Sequence, residues 1–233
     1  MQIIDSHAHV FEIKDYVNDT KFIPVVSGYS NGSNLKTIKI AKEYKYPFCL
    51  GIAPQTVLKE GIDNLDLWIS EIRKEKPNAI GEVGLDFHWA ETEEKRTLQK
   101  QVFSQMIDLS SSMKLPVVLH SRDATKECLD MLEEKNFKYK SMLHFFSGTV
   151  EDAVRVSEQG GVVSFPPVRS KKRKDTLLRI PLENIVVETD APFVGRTIQD
   201  VVDSINYVAE IKNLDFDIVA MQTAKNASKF FRI

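Results

Sequence analysis

The feature that most constrains this chain is a regular alternation. Short apolar, β-branched runs at residues 2–5, 22–27, 48–52, 79–83, 117–120, 141–144, 161–165 and 184–188 are separated, almost throughout, by longer amphipathic stretches. The short runs read as strands, and apolar residues recurring at intervals of three and four read as helices. Residues 34–45 place Leu35, Ile38 and Ala41 at helical intervals. Residues 63–74 repeat Leu65, Ile69 and Ile72 behind Asp63 as the expected N-cap. Thr92-Glu93-Glu94 opens the longest helix, running to Met113, and further helices are predicted over 123–134, 150–158, 171–178, 197–212 and 215–231. Alternating βα units favour a parallel sheet covered by helices, and eight of them favour closure into a TIM-type (β/α)8 barrel. A doubly wound open sheet is the second choice, weakened because no G-x-G-x-x-G follows any strand. With no linker or low-complexity tract, residues 1–233 read as one barrel domain.

Composition narrows the function classes. A chain of 233 residues with 42% apolar side chains can bury one sizeable core. A net charge of −2 gives no global attraction to polyanions, so a nucleic-acid partner would need a local basic patch or a metal. Cys49 and Cys128 are too few and too far apart for a disulfide scaffold, which points to a reducing cytoplasm. There is no basic segment leading into an apolar signal core and no run of membrane-spanning length. The expectation is a soluble, cytoplasmic protein with no membrane partner. Its oligomeric state stays open, and a monomer is compatible with everything above.

In a parallel barrel the active site is built at the C-terminal ends of the strands. The first strand ends in Asp5-Ser6-His7-Ala8-His9, where two residues two apart point to the same side and both imidazoles can reach one point. The fourth runs into Gly81-Glu82-Val83-Gly84-Leu85-Asp86, the fifth into His120-Ser121-Arg122-Asp123, the sixth into His144-Phe145-Phe146-Ser147-Gly148, and the eighth into Glu188-Thr189-Asp190-Ala191-Pro192. One histidine at a strand end is usually a satisfied polar residue, and Asp190 alone could simply open a turn. The same pattern at five ends of one fold is different. His7, His9, Glu82, His120, His144 and Asp190 gathered there would be a costly set of desolvated groups without a cation to organise them. Glu188 reads as holding its neighbours by hydrogen bonds. Six ligands exceed what one ion uses, so two divalent ions sharing a carboxylate are expected, with Glu82 as the bridge. Imidazole and carboxylate suit Mg, Mn, Zn or iron. Two such ions can polarise an ester or phosphodiester and activate water against it.

These five motifs, in this order over nearly the whole chain, resemble the TatD family of metal-dependent deoxyribonucleases among the amidohydrolase-like barrels. The resemblance implies a metallo-dependent hydrolase with one ion on His7, His9, Glu82 and Asp190 and a second on Glu82, His120 and His144. It implies that Asp190 receives a proton from the attacking water, and that the substrate is DNA, cut from its 3′ end. Two segments depart from the family. Gly51-Ile52-Ala53-Pro54 stands where the family reads Gly-x-His-Pro, so a polar group is missing at Ala53. After Pro192, the stretch Phe193-Val194-Gly195-Arg196-Thr197 enters a helix where the family has a longer loop with Arg-Asn-x-Pro, leaving Arg196 as the stand-in arginine. Both face the substrate rather than the metals. They keep open an alternative metal-dependent hydrolase of a small phosphoester, ester, lactone or cyclic amide.

Outside the ligand set, Arg122 can contact a substrate phosphate. The run Arg169-Ser170-Lys171-Lys172-Arg173-Lys174 begins on the active-site side and can touch a phosphate backbone. Phe145-Phe146 and Phe230-Phe231 read as core, Trp89 as the base-stacking candidate, and His88 as lying outside the metal shell.

Overall fold

The computed structural model describes residues 2–233. Its strands are β1 (Ile3–Ala8), β2 (Phe22–Ser27), β3 (Phe48–Leu50), β4 (Ala79–Asp86), β5 (Val117–Arg122), β6 (Ser141–Leu143), β7 (Val162–Phe165) and β8 (Ile185–Val187). They pair in chain order and all in parallel. The helices are α1 (Asn31–Tyr44), α2 (Pro54–Glu60), α3 (Leu65–Lys74), α4 (Glu93–Met113), α5 (Thr125–Glu134), α6 (Val150–Glu158), α7 (Lys171–Arg179), α8 (Val201–Lys212) and α9 (Phe216–Phe231). This is the expected barrel, nearly closed. Among the described residues no ladder joins β8 to β1. The seam is stitched instead by the Ser6 hydroxyl donating to the Val187 carbonyl at 2.7 Å, and by the Asp190 and His9 amides donating to His7 and Ala191 carbonyls at 3.0 and 2.8 Å. No helix among the described residues is long and apolar enough to cross a membrane.

Local chemistry accounts for most boundaries. Thr92 caps α4, its side chain accepting from the Lys95 amide, and Thr149 and Asp152 form a reciprocal cap on α6. Asp63 does not cap α3, which starts one residue later behind Asn64 and without a side-chain cap. The segment 54–60, for which the sequence predicts no element, is helical with Pro54 in its first turn. The predicted helix over 197–212 opens instead with a 3-10 turn at Ile198–Asp200 before α8 begins.

Strand alternation divides the barrel interior into two levels. The lower one is apolar, built from Ile4, Val25, Cys49, Ala79, Val118, Met142, Val162 and Val186, and α9 closes it with Phe230 and Phe231. One step toward the strand ends the inward positions turn polar: Ser6 and Ser164, 3.0 Å apart across the interior, then His120, His144 and Glu188. Two ligand-bearing strands break the alternation. Ile3 and Ala8 of β1 both pack in the outer core, as do Ile80 and Val83 of β4. Each pair is an odd number of residues apart, so each strand carries one extra residue, matching the register shifts between Asp5 and Ala8 and between Ile80 and Val83. Without these bulges, a strand with Ile4 or Ala79 inside would turn His7 or Glu82 outward.

Candidate metal centre

The bulge in β1 turns His7 and His9 inward together, with their Nε2 atoms 3.3 Å apart. Both imidazoles face the same two carboxylates. Glu82 Oε2 lies 3.9 Å from each Nε2, and Asp190 Oδ1 lies 3.7 Å from His7 and 3.3 Å from His9. The other oxygen of Glu82 turns the opposite way and sits 2.7 Å from Nδ1 of His120. His144 completes the group, its ring stacked on His7 with centroids 3.7 Å apart. The donor atoms fall into three overlapping sets, His7–His9–Glu82, His7–His144–Asp190 and Glu82–His120–His144, each with its atoms within 4.8 Å of one another. All six residues predicted as ligands are therefore brought to one place.

Two strand crossings depend on glycine. Gly51 of the β3 end passes the Glu82 backbone so closely that a Cβ would lie 2.5 Å from its carbonyl oxygen. Gly84 has φ +135°, and a side chain there would run into the His120 carbonyl.

The electrostatics hold the Glu82 carboxylate charged and divide the imidazoles between protonated and neutral forms. Burial works to raise the Glu82 carboxyl, but the hydrogen bond from His120 and the facing imidazoles outweigh it and hold the group at about 2. His120 is lowered by burial and raised more by Asp86 and Glu82, to about 9. His144 behaves likewise beside Glu188, reaching about 10. His7 goes the other way: burial, with three imidazoles nearby, pushes it well below the usual range and keeps it neutral, the form that binds metal. Among the described residues neither Glu82 nor Asp190 is paired with a lysine or arginine. A donor set of four imidazoles and two carboxylates, with no thiolate, fits divalent ions that accept nitrogen and oxygen.

Around the cluster stand residues that fix the ligands. His9 Nδ1 is 2.7 Å from the Ser27 carbonyl, and Glu188, fully buried, lies 3.0 Å from His144 Nδ1 while accepting from the Phe145 amide. Asp5 is also fully buried and pushed up to about 8 by desolvation, against hydrogen bonds from Thr189 and His7 that lower it. Its contacts, 2.5 Å to the Thr189 hydroxyl and 3.0 Å to the Thr189 amide, tie the His7 strand to the Asp190 strand. Two residues that the sequence motifs do not single out also reach the cluster, Asp86 and Gln55. Asp86 Oδ2 sits 2.7 Å from His120 Nε2 and accepts from the Gln55 amide at 3.0 Å, leaving Nδ1 of His120 aimed at Glu82. Gln55, two residues beyond Ala53, also brings its amide to 3.0 Å from His120 Nε2, whereas Ala53 is buried at the N-cap of α2 with its amide on the Tyr29 carbonyl. Partners of this kind are worth tenfold or more in metal affinity. Asp86→Asn should weaken the cation bound beside His120 about 10- to 100-fold, measured by calorimetric titration, and leave the His7–His9 position filled.

Above the cluster opens a cavity of about 590 Å³, lined by Tyr29, Gln55, Ser121, Arg122, Phe145, Ser147, Phe193 and Val194 as well as five of the six predicted ligands. Arg122 lines it and has no ion-pair partner among the described residues, while Asp123 faces His88 at 3.7 Å. His88 stays outside the cluster. Trp89 is half exposed but lies off the cavity, so it is not placed to stack on a bound substrate. Phe145, expected in the core, instead lines the cavity, while Phe146 is buried. Its φ of 44° turns the chain there, and the Arg173 guanidinium lies 4.9 Å from its ring. Arg173 is not a free phosphate contact: it is buried, donating to the Phe146 and Val168 carbonyls. Arg169 is paired with Glu210 at 2.6 Å, and Arg196 is exposed away from the cavity lining.

Comparison with known proteins identifies the family. Residues 4–232 match the family model described as TatD related DNase. The chain belongs to the TatD family. A human protein named deoxyribonuclease TATDN3 is 30% identical, with 98% of this chain and 94% of the relative covered. An uncharacterized metal-dependent hydrolase, YabD of Bacillus subtilis, is 29% identical with 99% of both chains covered. Among solved structures, the TatD homolog YJJV of Escherichia coli superposes with a TM-score of 0.84 at 21% identity, covering 99% of this chain and 98% of that one. A TatD family hydrolase of Entamoeba histolytica gives 0.82 at 17%, covering 98% and 97%. The chain is thus a metal-dependent hydrolase of the TatD family with the family's barrel.

Proposed function

We propose that this hydrolase is a two-metal deoxyribonuclease that cuts DNA phosphodiester bonds from the 3′ end. The observation that carries the reading is the orientation of Glu82, one oxygen toward His7 and His9 and the other toward His120. In this reading one divalent ion (Mg, Mn or Zn) is held by His7, His9, Glu82 and Asp190, and a second by Glu82, His120 and His144. When bound, such ions neutralise the phosphodiester and lower the pKa of the attacking water. The remaining work belongs to side chains. Asp190, with 14% of its side chain exposed, belongs both to the cluster and to the cavity wall and accepts the proton that water gives up. Its backbone is fixed at φ 51° by the Phe193 and Val194 amides, both donating to its carbonyl. Arg122, on the cavity wall, meets a second phosphate of the strand. DNA as substrate is supported by the naming of the human relative. Both cysteines are free and buried, in keeping with a reducing cytoplasm. The test is a metal-loaded preparation acting on single-stranded DNA labelled at either end. Release of labelled mononucleotide first from the 3′ label supports the reading, and first release from the 5′ label reverses the polarity.

The basic run keeps a smaller part. Lys171, Lys172 and Lys174 are exposed, and Lys172 reaches the carbonyl of cavity-lining Ser147. Replacing these three by Ser, with buried Arg173 retained, should flatten the salt dependence of single-strand binding by about 0.7 in log–log slope for each phosphate no longer neutralised. An unchanged slope would mean that these lysines only solvate α7.

A further inference from the structure

Phe193 is 61% exposed, yet it stands in the wall of the cavity. A large apolar ring left open at the mouth of a polar site marks a binding surface rather than packing. It does not serve only to prop His9, because Phe11 and Tyr29 already flank that imidazole, at 6.0 and 5.2 Å between centroids. Phe193 adds a third ring at 5.0 Å from His9, and meets Tyr29 at 6.4 Å and 64° to form an open aromatic corner. The corner is held rigidly to the chemistry. Phe193 donates its amide to the Asp190 carbonyl at 2.9 Å, and Gly195 donates to Thr189 at 2.9 Å. An aromatic face therefore begins one ring away from the cluster, a separation of the same order as that of a base from its own phosphate across the sugar. Ser121, Arg122 and Ser147, also on the cavity lining, present two hydroxyls and one guanidinium.

We infer that Phe193, with Tyr29 beside it, is a stacking subsite for the nucleobase of the terminal nucleotide whose phosphodiester lies at the metal cluster. This rests on the deoxyribonuclease reading and adds a residue that recognises the substrate. Stacking suits an enzyme that must accept every base in turn, because each has a π-face and none requires its own hydrogen-bond pattern.

The test is a cycle between enzyme and substrate. Phe193→Leu, which keeps bulk but removes the π-face, is compared with the unaltered protein on oligonucleotides ending in thymidine or in an abasic deoxyribose, placed at the 3′ or the 5′ terminus. Phe193→Leu should lower kcat/KM about tenfold or more on the thymidine end, mainly through KM. The abasic end should cost the unaltered protein a similar factor and cost the variant almost nothing further. Phe193→Tyr, which retains a stacking face, should recover most of the loss. Metal content, measured by elemental analysis, should be the same in all three proteins. Equal fractional losses on both kinds of end, or metal depleted along with the ring, would overturn the subsite and make Phe193 a prop for His9. If the unaltered protein cuts no DNA, the deoxyribonuclease reading falls and the subsite with it.

Discussion

Glu82→Gln should leave the barrel folded, empty both metal positions and reduce phosphodiester hydrolysis at least about a thousandfold. The size follows from chemistry: a metal supplies several kcal/mol of transition-state stabilisation, and about 1.4 kcal/mol is tenfold in rate. A neutral amide cannot serve two cations, and whichever way it is placed, its NH2 points at imidazoles now facing the two oxygens, His7 and His9 on one side or His120 on the other. The fold should survive because the carboxylate sits above the apolar plug of α9 and contributes to no packed layer below. Removing it does cost the His120 hydrogen bond, worth about 1–3 kcal/mol when a charge is involved. His7→Ala should be milder in metal content, since His120, His144 and Glu82 remain as a set. Elemental analysis decides. Loss of a single ion from the Gln variant would make Glu82 a terminal ligand and put the bridge elsewhere.

Much of the fold is legible because a parallel barrel buries its strands on both faces, so each becomes a short apolar run bounded by polar residues. Residues 22–27 and 150–158 match their elements end to end. What the pattern does not announce is set by tertiary context. The segment 54–60 has only seven residues and no long periodicity, and its N-terminus is fixed by Pro54 rather than by a capping side chain. The bulges in β1 and β4 are equally silent. They show as a parity conflict only once Ile3 and Ala8, or Ile80 and Val83, are known to share the outer core.

The ligand positions are legible for a different reason: histidine and acid at a strand end are out of character with the run that precedes them. Their supports are not. Asp86 closes a motif that draws attention to Glu82, and its contact with His120 crosses 34 residues of sequence. Gln55 follows the departure at Ala53 by two residues, and only the direction of α2 shows that its amide reaches Asp86. Arg173 reads as one more charge in a basic run until burial against the Phe146 carbonyl makes it a brace. Trp89 and Phe193 are separable only by location, since both are exposed and only the second lines the cavity.

Asp190→Asn should abolish metal-dependent release of mononucleotides from single-stranded DNA while leaving the protein folded, and this variant separates DNA from smaller substrates. Asp190 lies against both His7 and His9, so on the proposed two-metal reading the amide would weaken the ion between them as well as remove the acceptor for the water proton. An effect on two functions at once should reach at least about a thousandfold. The variant also reports any contaminating nuclease, whose activity would survive the substitution. Beside labelled DNA, the unaltered protein should be offered aryl phosphodiesters, lactones and aryl esters, because the cavity of about 590 Å³ admits small molecules and the loop after Pro192 is short. Turnover of DNA by the unaltered protein, stopped by a chelator and missing in Asp190→Asn, is the expected pattern. The opposite pattern is equally readable. If DNA is untouched, or is cut as well by the Asn variant, while a lactone or ester is hydrolysed only with metal and only by Asp190, then the barrel has kept its metal chemistry and changed its substrate, with Gln55 and the short Phe193 loop as the places where that change was made.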